Sequence, residues 1–268
     1  MSERDGYNDG EFCWVDLATP DLERAASFYA DLIGWEFEPA EAPEGVDIGG
    51  YGNFTHKGKA VAGMARIMEQ GQPPAWSSYV KVSDSDATAD KVRDAGGTLV
   101  LGPLDIPGGA GRMMACQDAE GAFISTWEPG SHRGAELVNE IGCWTWNNLA
   151  TRDLEQAKGF YREVFGWEAT HSDQAPDFIW NWQIEGQRWP EGLGGLQEMG
   201  ADVPAQVPPH WEVYFLVPDL EEAMELTRRA GGQVTFGPLE LPVAKLALLT
   251  DPDGAALGLM EPDYPEPR

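Results

Sequence analysis

Two carboxylates stand among aromatic residues in segments that alternate like β-strands. Asp16 lies two positions after Trp14, and Glu212 lies two positions before Tyr214. Alternate residues of a strand share a face, so each carboxylate shares a face with an aromatic ring. A carboxylate buried beside such rings has a raised pKa and can serve as a general acid or base. A structural hydrogen bond or ion pair is the alternative role for both residues.

The cysteines do not indicate catalysis or metal binding. Cys13, Cys116 and Cys143 are odd in number, lie far apart, and form no CxxC or Cys/His ligand spacing. A nucleophilic cysteine would need a histidine and a closed pocket, and nothing in the sequence places either beside these residues. We therefore expect three reduced core cysteines, as is typical of a cytoplasmic protein.

The four histidines give no complete metal site. We expect His56 at a hairpin turn, His132 in a linker and His171 at a strand edge, all at the surface or in loops. His210 forms an H-x-E pair with Glu212, but two ligands at strand spacing lack a third. No G-x-S-x-G, Walker or Rossmann motif is present.

Composition excludes several classes of function. The chain has 268 residues and a net charge of −27. Hydrophobic residues make up 42% of it, which is enough apolar material for packed cores. The acidity disfavours binding to nucleic acids or anionic membranes, and its simplest role is solubility. The N-terminal residues 1–11 carry no signal-peptide pattern, and no stretch approaches the roughly 20 apolar residues of a membrane span. We expect a cytoplasmic protein.

The chain contains an internal duplication. Residues 12–38 match residues 144–170 at a constant offset of 132, including Phe-Tyr and Gly-Trp pairs. Further identities follow at nearby offsets: Gly102-Pro103 matches Gly237-Pro238 at 135, and Glu128-Pro129 matches Glu261-Pro262 at 133. The sequence therefore predicts a first domain over 8–130, a linker over 131–139 and a second domain over 140–264.

Each copy is predicted to contain two modules, and each module consists of a strand, a helix and three strands. In the first copy an alternating strand ends at Pro20-Asp21, and an apolar helical stripe runs from Leu22 to Ile33 before Gly34. The fold class is α+β, with four βαβββ modules forming two tandem domains.

This register, with LATPDLERAASFY…GW at its start and Asp-x-x-Gly…Glu-Pro at its end, resembles the vicinal oxygen chelate superfamily. That family includes glyoxalase I, bleomycin-resistance proteins, fosfomycin-resistance enzymes and extradiol dioxygenases. The resemblance implies glyoxalase-like domains whose mixed sheets curl into ligand-holding cups, with helices outside.

The resemblance also implies where metal-dependent members hold their ion. Its ligand positions fall on Trp14, Ser77 and Ser125 in the first copy, and on Trp146, Glu212 and Gly258 in the second. Indole nitrogen is only a donor, and a single carboxylate does not make a site. We expect both cups to be free of metal and of any other cofactor.

Strand alternation then predicts cups rich in tryptophan. The residues expected to line the cups and bind a small molecule are Trp14, Asp16, Ser77, Tyr79, Lys81, Trp127, Trp144, Trp146, Asn148, Trp180, Trp182, Glu212, Tyr214 and Met260. Phe12 is also expected to point inward. Asp16 with Lys81, or Asn148 with Glu212, would orient the ligand, and Asp16 and Glu212 are the catalytic candidates.

Two classes of function follow. The first is a metal-free binding protein that holds an aromatic or planar organic molecule, as antibiotic-sequestering relatives do. The second is a metal-independent enzyme that acts on an aromatic metabolite by acid–base chemistry, and a metal-dependent lyase or dioxygenase is a third alternative. A monomer would be adequate because the chain holds four modules, and a homodimer is possible.

Overall fold

A computed structural model describes residues 2–42, 44–68, 71–171, 179–184, 193–201 and 203–263. Over these residues the chain forms four helices and sixteen strands in a duplicated order. The first copy comprises β1 (Phe12–Thr19), α1 (Leu22–Ile33), β2 (Glu36–Pro39), β3 (Gly52–His56), β4 (Lys59–Arg66), β5 (Ala75–Lys81), α2 (Ser85–Asp94), β6 (Thr98–Ile106), β7 (Gly111–Gln117) and β8 (Phe123–Pro129). The second comprises β9 (Trp144–Thr151), α3 (Leu154–Phe165), β10 (Trp167–His171), β11 (Ile179–Ile184), β12 (Gly194–Glu198), β13 (His210–Leu216), α4 (Leu220–Arg229), β14 (Gln233–Glu240), β15 (Ala244–Thr250) and β16 (Ala256–Pro262).

Each copy folds into one open, mixed sheet of eight strands. The order is β2-β3-β4-β1-β5-β8-β7-β6 in the first sheet and β10-β11-β12-β9-β13-β16-β15-β14 in the second. The central strands β1 and β5 are antiparallel to each other, and each runs parallel to the last strand of its own module. The α+β class and the two tandem domains are thus confirmed.

Helix α1 begins and ends where the sequence predicts. Asp21 caps α1 by accepting a hydrogen bond from the backbone N–H of Arg24 at 3.1 Å, and Gly34 ends the helix with φ of 74°. Asp153 and Gly166 act in the same way on α3. No helix among the described residues is both long and apolar enough to cross a membrane.

A buried hydrogen-bond relay joins the two domains. The indole N–H of Trp76 donates to the hydroxyl of Tyr29 at 2.9 Å, and that hydroxyl donates to Asp251 of the second domain at 3.2 Å. The other oxygen of Asp251 accepts from three backbone N–H groups in the turn before β16. Tyr29 therefore connects the core of one domain to a rigid turn of the other.

The duplication repeats this relay in the opposite direction. Trp211 donates to the hydroxyl of Tyr161 at 2.8 Å, and Tyr161 donates to Asp118 of the first domain at 2.9 Å. Helix α1 lies against α4, and α2 lies against α3. The two sheets therefore pack through their helix-bearing faces, and their other faces point away from the interface.

Aromatic residues fill the space between the domains. Trp35 packs edge-on against Phe215, with ring centroids 5.2 Å apart, and its indole N–H donates to the carbonyl of Gly142. Trp167 contacts Phe12 at the same 5.2 Å spacing and belongs to the same continuous core. Trp35 and Trp167 therefore serve packing between the domains.

The relay makes a specific prediction about stability. Replacing Tyr29 by Phe leaves Trp76 Nε1 and the Oδ2 atom of Asp251 without their buried partner. We expect the free energy of unfolding to fall by about 2 kcal/mol, measured by urea denaturation. Tyr7→Phe is the matched control, because the Tyr7 hydroxyl makes a single hydrogen bond to the Ala135 carbonyl. Equal losses in the two variants would contradict the role of the relay.

Candidate functional site

The sheet faces turned away from the helices carry the candidate sites, which we call cup 1 on the first sheet and cup 2 on the second. Cross-strand partners share a face, and β1 and β5 pair Trp14 with Tyr79 and Asp16 with Ser77. Trp76, the residue before Ser77, points the other way and contacts Tyr29 on the helix side. These four predicted residues therefore lie together in cup 1.

Asp16 and Tyr79 form the polar centre of cup 1. The Tyr79 hydroxyl donates to Asp16 Oδ2 at 2.9 Å. Burial raises the pKa of Asp16 to about 6, and the hydrogen bond from Tyr79 opposes that shift. Asp16 can therefore change its charge near neutral pH, which is the property that a general acid or base requires.

Tyr51 adds a second hydroxyl beside this pair. Trp14 Nε1 donates to the Tyr51 hydroxyl at 3.1 Å. Tyr51 lies over Gly63, where an added Cβ would overlap the tyrosine oxygen and come within 3.0 Å of Asp16 Cβ. Sequence reasoning missed Tyr51, because its side chain reaches the cup from the loop before β3. The sequence signal for this arrangement is Gly63, which pairs with Asp16 and leaves space for the Tyr51 ring.

His132 covers cup 1 from the linker, where the sequence places it, and is partly buried there. Its ring packs edge-on against Trp14, with centroids 4.4 Å apart, and the indole of Trp127 donates to its backbone carbonyl at 2.9 Å. Burial lowers the pKa of His132, which favours the neutral ring. Its Nε2 is buried and has no hydrogen-bond partner among the described residues. Such an atom is available to a ligand.

Lys81 does not accompany Asp16 as predicted. It ends β5, forms an ion pair with Asp9 and donates to Ser83 Oγ at 3.0 Å. The segment before β1 supplies this acidic partner, which strand alternation alone does not reveal. Among the described residues, Tyr79 is the one that donates a hydrogen bond to the Asp16 carboxylate.

Cup 2 contains a glutamate held by its neighbours. Glu212 Oε2 accepts from Asn148 Nδ2 at 3.0 Å and from the Tyr214 hydroxyl at 2.8 Å. His210 Nε2 lies 3.7 Å from Glu212 Oε1, and this glutamate raises the pKa of His210. The predicted pairing of Asn148 with Glu212 is therefore present, but it serves to fix the carboxylate.

The two cups contain the same acid–tyrosine pair with the acid on different strands. In cup 1 the tyrosine of β5 donates to Asp16 of β1, and Ser77 stands across from the acid. In cup 2 the tyrosine of β13 donates to Glu212 of its own strand, and Asn148 stands across from the acid. The carboxylate therefore reaches each cup from a different side.

Trp146 and Met260 also belong to cup 2. A Cβ on Gly195 would come 3.0 Å from Trp146 Nε1, which places the indole beside the neighbouring strand β12. Met260 is partly exposed and lies two residues after Gly258, so the two residues share a face.

Three predicted cup tryptophans lie on the helix side instead. A bulge between Tyr214 and Phe215 pairs Trp144 with Phe215, which packs in the interface. An equivalent bulge turns Phe12 toward Trp167.

Trp180 and Trp182, the other two predicted cup tryptophans, point to the opposite face because of the register of β11. Asn181 pairs with Gly195, which pairs with Asn148, so Asn181 faces cup 2. Trp180 and Trp182 therefore face the helices. Lys158 of α3 lies 3.7 Å above the Trp180 ring, and Trp182 is fully buried against Tyr161.

Comparisons with known proteins agree with this architecture. A family model described as the Glyoxalase/Bleomycin resistance protein/Dioxygenase superfamily matches residues 12–126, and a bleomycin resistance protein-like N-terminal model matches residues 144–178. "Putative glyoxylase CFP32" of Mycobacterium tuberculosis is 38% identical over 266 residues, covering 98% of both chains. The chain belongs to this superfamily. Anthracycline biosynthesis protein DnrV of Streptomyces peucetius is 31% identical over 271 residues, covering 95% of this chain and 94% of that protein.

Solved structures of the superfamily share the fold. The Mn(II)-bound glyoxalase from Novosphingobium aromaticivorans aligns with a TM-score of 0.61 and 15% identity, covering 97% of this chain and 83% of that one. The 2,2',3-trihydroxybiphenyl 1,2-dioxygenase from Sphingomonas wittichii aligns with a TM-score of 0.59 and 15% identity, covering 95% and 91%.

The residues at the expected metal-ligand positions do not fit a divalent ion. In cup 1 these positions hold an indole and two serines, and the indole N–H is already donated to Tyr51. In cup 2 only Glu212 is a suitable donor. The Tyr214 ring occupies the space beside Gly258, where a Cβ would overlap it. The donor set of either cup is therefore too poor for the superfamily's usual metal.

The raised pKa of Asp16 predicts a pH-dependent effect on stability. Because the folded pKa of Asp16, about 6, lies above the unfolded value of about 3.9, the unfolded state loses this proton first, and stability is lost as the pH rises from about 4 to about 6. Asp16→Asn should therefore stabilise the protein at pH 8 by about 3 kcal/mol, because the folded and unfolded pKa values differ by about two units. This gain should vanish as the pH falls toward 4. Urea denaturation across this range measures it, with the exposed Asp94→Asn as control. A difference that does not vary with pH would contradict the assignment.

Proposed function

We propose that this protein binds a planar, polycyclic aromatic molecule in cup 1 without a metal ion. The observation that carries the proposal is the grouping of one titrating carboxylate, two tyrosine hydroxyls and an unpartnered histidine nitrogen between two indoles. Indole faces suit flat apolar rings, and a few polar groups at fixed positions suit the hydroxyl and keto groups on such rings.

Two further observations support this class of ligand. The relatives DauV and DnrV, which match along nearly the whole chain, are named for anthracycline biosynthesis, and anthracyclines are polycyclic aromatic compounds. The charged group at the centre of cup 1 is a carboxylate, and the protein carries a net charge of −27. Both favour neutral or cationic ligands over anionic ones. Tight retention would sequester the compound, as the bleomycin-resistance part of the superfamily suggests.

Fluorescence titration tests this proposal. Anthraquinones, flavones and an anthracycline should quench the tryptophan emission in a saturable way. Trp14→Phe should weaken binding by about tenfold, the effect of losing roughly 1.4 kcal/mol of contact. The matched variant Trp146→Phe changes the equivalent position of cup 2 and should leave the affinity unchanged. Unchanged emission with every compound, or equal effects of the two variants, would overturn the proposal.

A second candidate function is acid–base catalysis on a bound aromatic ketone. The specific observation in its favour is the pKa of Asp16 near 6, which allows the carboxylate to take a proton from carbon and return it. Tyr51 or the neutral His132 could hydrogen-bond the enolate oxygen formed in between.

Hydrogen–deuterium exchange distinguishes catalysis from binding alone. With α-tetralone in deuterated buffer, the protein should accelerate exchange at the carbon beside the carbonyl, measured by mass spectrometry. Asp16→Asn should abolish the acceleration while quenching by the ketone persists, and Glu212→Gln should retain both. If the wild-type protein binds the ketone without accelerating exchange, only the binding function stands.

A further inference from the structure

Three potential metal ligands from distant parts of the sequence meet outside both cups. They are His56, at the end of β3 in the first domain, and Glu140 and Cys143, in the turn that leads into β9. One ligand atom from each lies within 4.8 Å of the others. This cluster is the one group of three such ligands among the residues that the structure describes.

The local backbone brings the two ligands of the turn together. The N–H of Cys143 donates to the Glu140 carbonyl at 2.9 Å, which closes a tight turn with Gly142 at φ of 85°. Two ligands three positions apart on a closed turn are a common arrangement in zinc sites.

The His56 ring is oriented toward this turn. A Cβ on Gly142 would lie 2.8 Å from His56 Nε2, so the ring rests directly on the glycine. The other ring nitrogen, Nδ1, faces the Gly34 carbonyl at 3.5 Å. Metal-binding histidines commonly direct their second nitrogen at a backbone carbonyl, which fixes the ring and leaves the first nitrogen for the ion.

We propose that His56, Glu140 and Cys143 form a zinc site that connects the two domains. Nitrogen, oxygen and thiolate sulfur together suit Zn²⁺, whereas Ca²⁺ and Mg²⁺ need oxygen ligands. Three protein ligands leave a fourth position for water. A groove of about 330 Å³ adjoins the cluster, lined by His56, Lys57, Gly142 and the apolar side chains Leu32, Ile33, Ile141 and Leu216 with Pro218. Water can therefore reach the ion.

Lys57 supplies a positive charge beside Glu140, where the zinc ion would bind. Its Nζ lies 2.5 Å from Glu140 Oε1, so the ammonium neutralises the carboxylate that the ion would use. Lys57 is mostly exposed and can move away, because its side chain is 62% accessible. Zinc must compete with this ion pair, and removing the ammonium should strengthen binding.

The site differs from the superfamily's metal position, which lies inside the cups. It joins the β3–β4 hairpin of the first domain to the entry of the second, so a bound ion adds a cross-domain bond to those of the tyrosine relays. Zinc should therefore raise the melting temperature, because it binds the folded state alone.

The test uses the full chain, stripped by chelator and reloaded with Zn²⁺ or Co²⁺. We expect about one equivalent of zinc by elemental analysis, a thiolate-to-cobalt charge-transfer band, and a higher melting temperature. Cys143→Ser and His56→Gln should each weaken zinc binding by at least about tenfold and remove the thermal shift, and Cys143→Ser should remove the cobalt band. Lys57→Met should tighten binding.

Cys116→Ser is the matched control, since Cys116 is also a buried free cysteine but lies outside the cluster. It should keep the cobalt band and the zinc stoichiometry. Folding of each variant is checked by circular dichroism. Lack of a charge-transfer band in the wild-type protein, or equal losses in Cys116→Ser and Cys143→Ser, would overturn the proposal. So would a Lys57→Met variant that binds zinc no better than the wild type.

Discussion

The arrangement of the whole molecule depends on two buried tyrosine hydroxyls at the domain interface. Tyr29 and Tyr161 each accept from an indole of their own domain and donate to an aspartate of the other. Each aspartate is itself fixed by backbone N–H groups of a turn. Because the hydroxyls are wholly buried, water cannot replace these partners, and a change in the relative position of the sheets would leave several polar groups unsatisfied. The interface therefore sets the helix-bearing faces together and leaves both cup faces free for ligands.

This constraint explains the large number of tryptophans better than ligand binding does. An interface between two helix-covered sheets needs large rings with one polar atom, and Trp35, Trp167 and Trp211 pack there. Fewer indoles remain in the cups, with Trp14 and Trp127 around His132 as the clearest group. Binding of an aromatic ligand in cup 1 thus depends on the position of these few rings and not on the overall tryptophan content.

The fold could be predicted from the sequence because its signals are local and repeated: caps such as Asp21 and Gly34, the helical stripe between them, and a nearly constant offset between the copies. The sequence predicts three strands after α1 but does not locate the short edge strand β2, since four residues carry no clear periodicity. In the site, simple alternation placed Asp16 and Tyr79 correctly, because that part of β1 is regular. It failed for Trp144, where a bulge changes the parity, and a bulge is decided by packing across strands. Contacts made by the linker cannot be predicted by any strand pattern, because they depend on tertiary packing.

The linker is also the reason that two cups from one duplicated sequence differ. Its first part carries His132 over Trp14, and the backbone N–H of His132 is held by the Ala110 carbonyl. Its last part turns at Glu140 and Cys143 beside the hairpin of the first domain. A duplication produces two copies of each module but only one connection between them, so this segment can cover only one cup. In cup 1 the cover is His132, whose Nε2 has no hydrogen-bond partner among the described residues, and the acid is Asp16 on β1. In cup 2 the acid lies on β13, where Asn148 and Tyr214 hold it in place. The difference in cover between the two cups thus follows from chain connectivity.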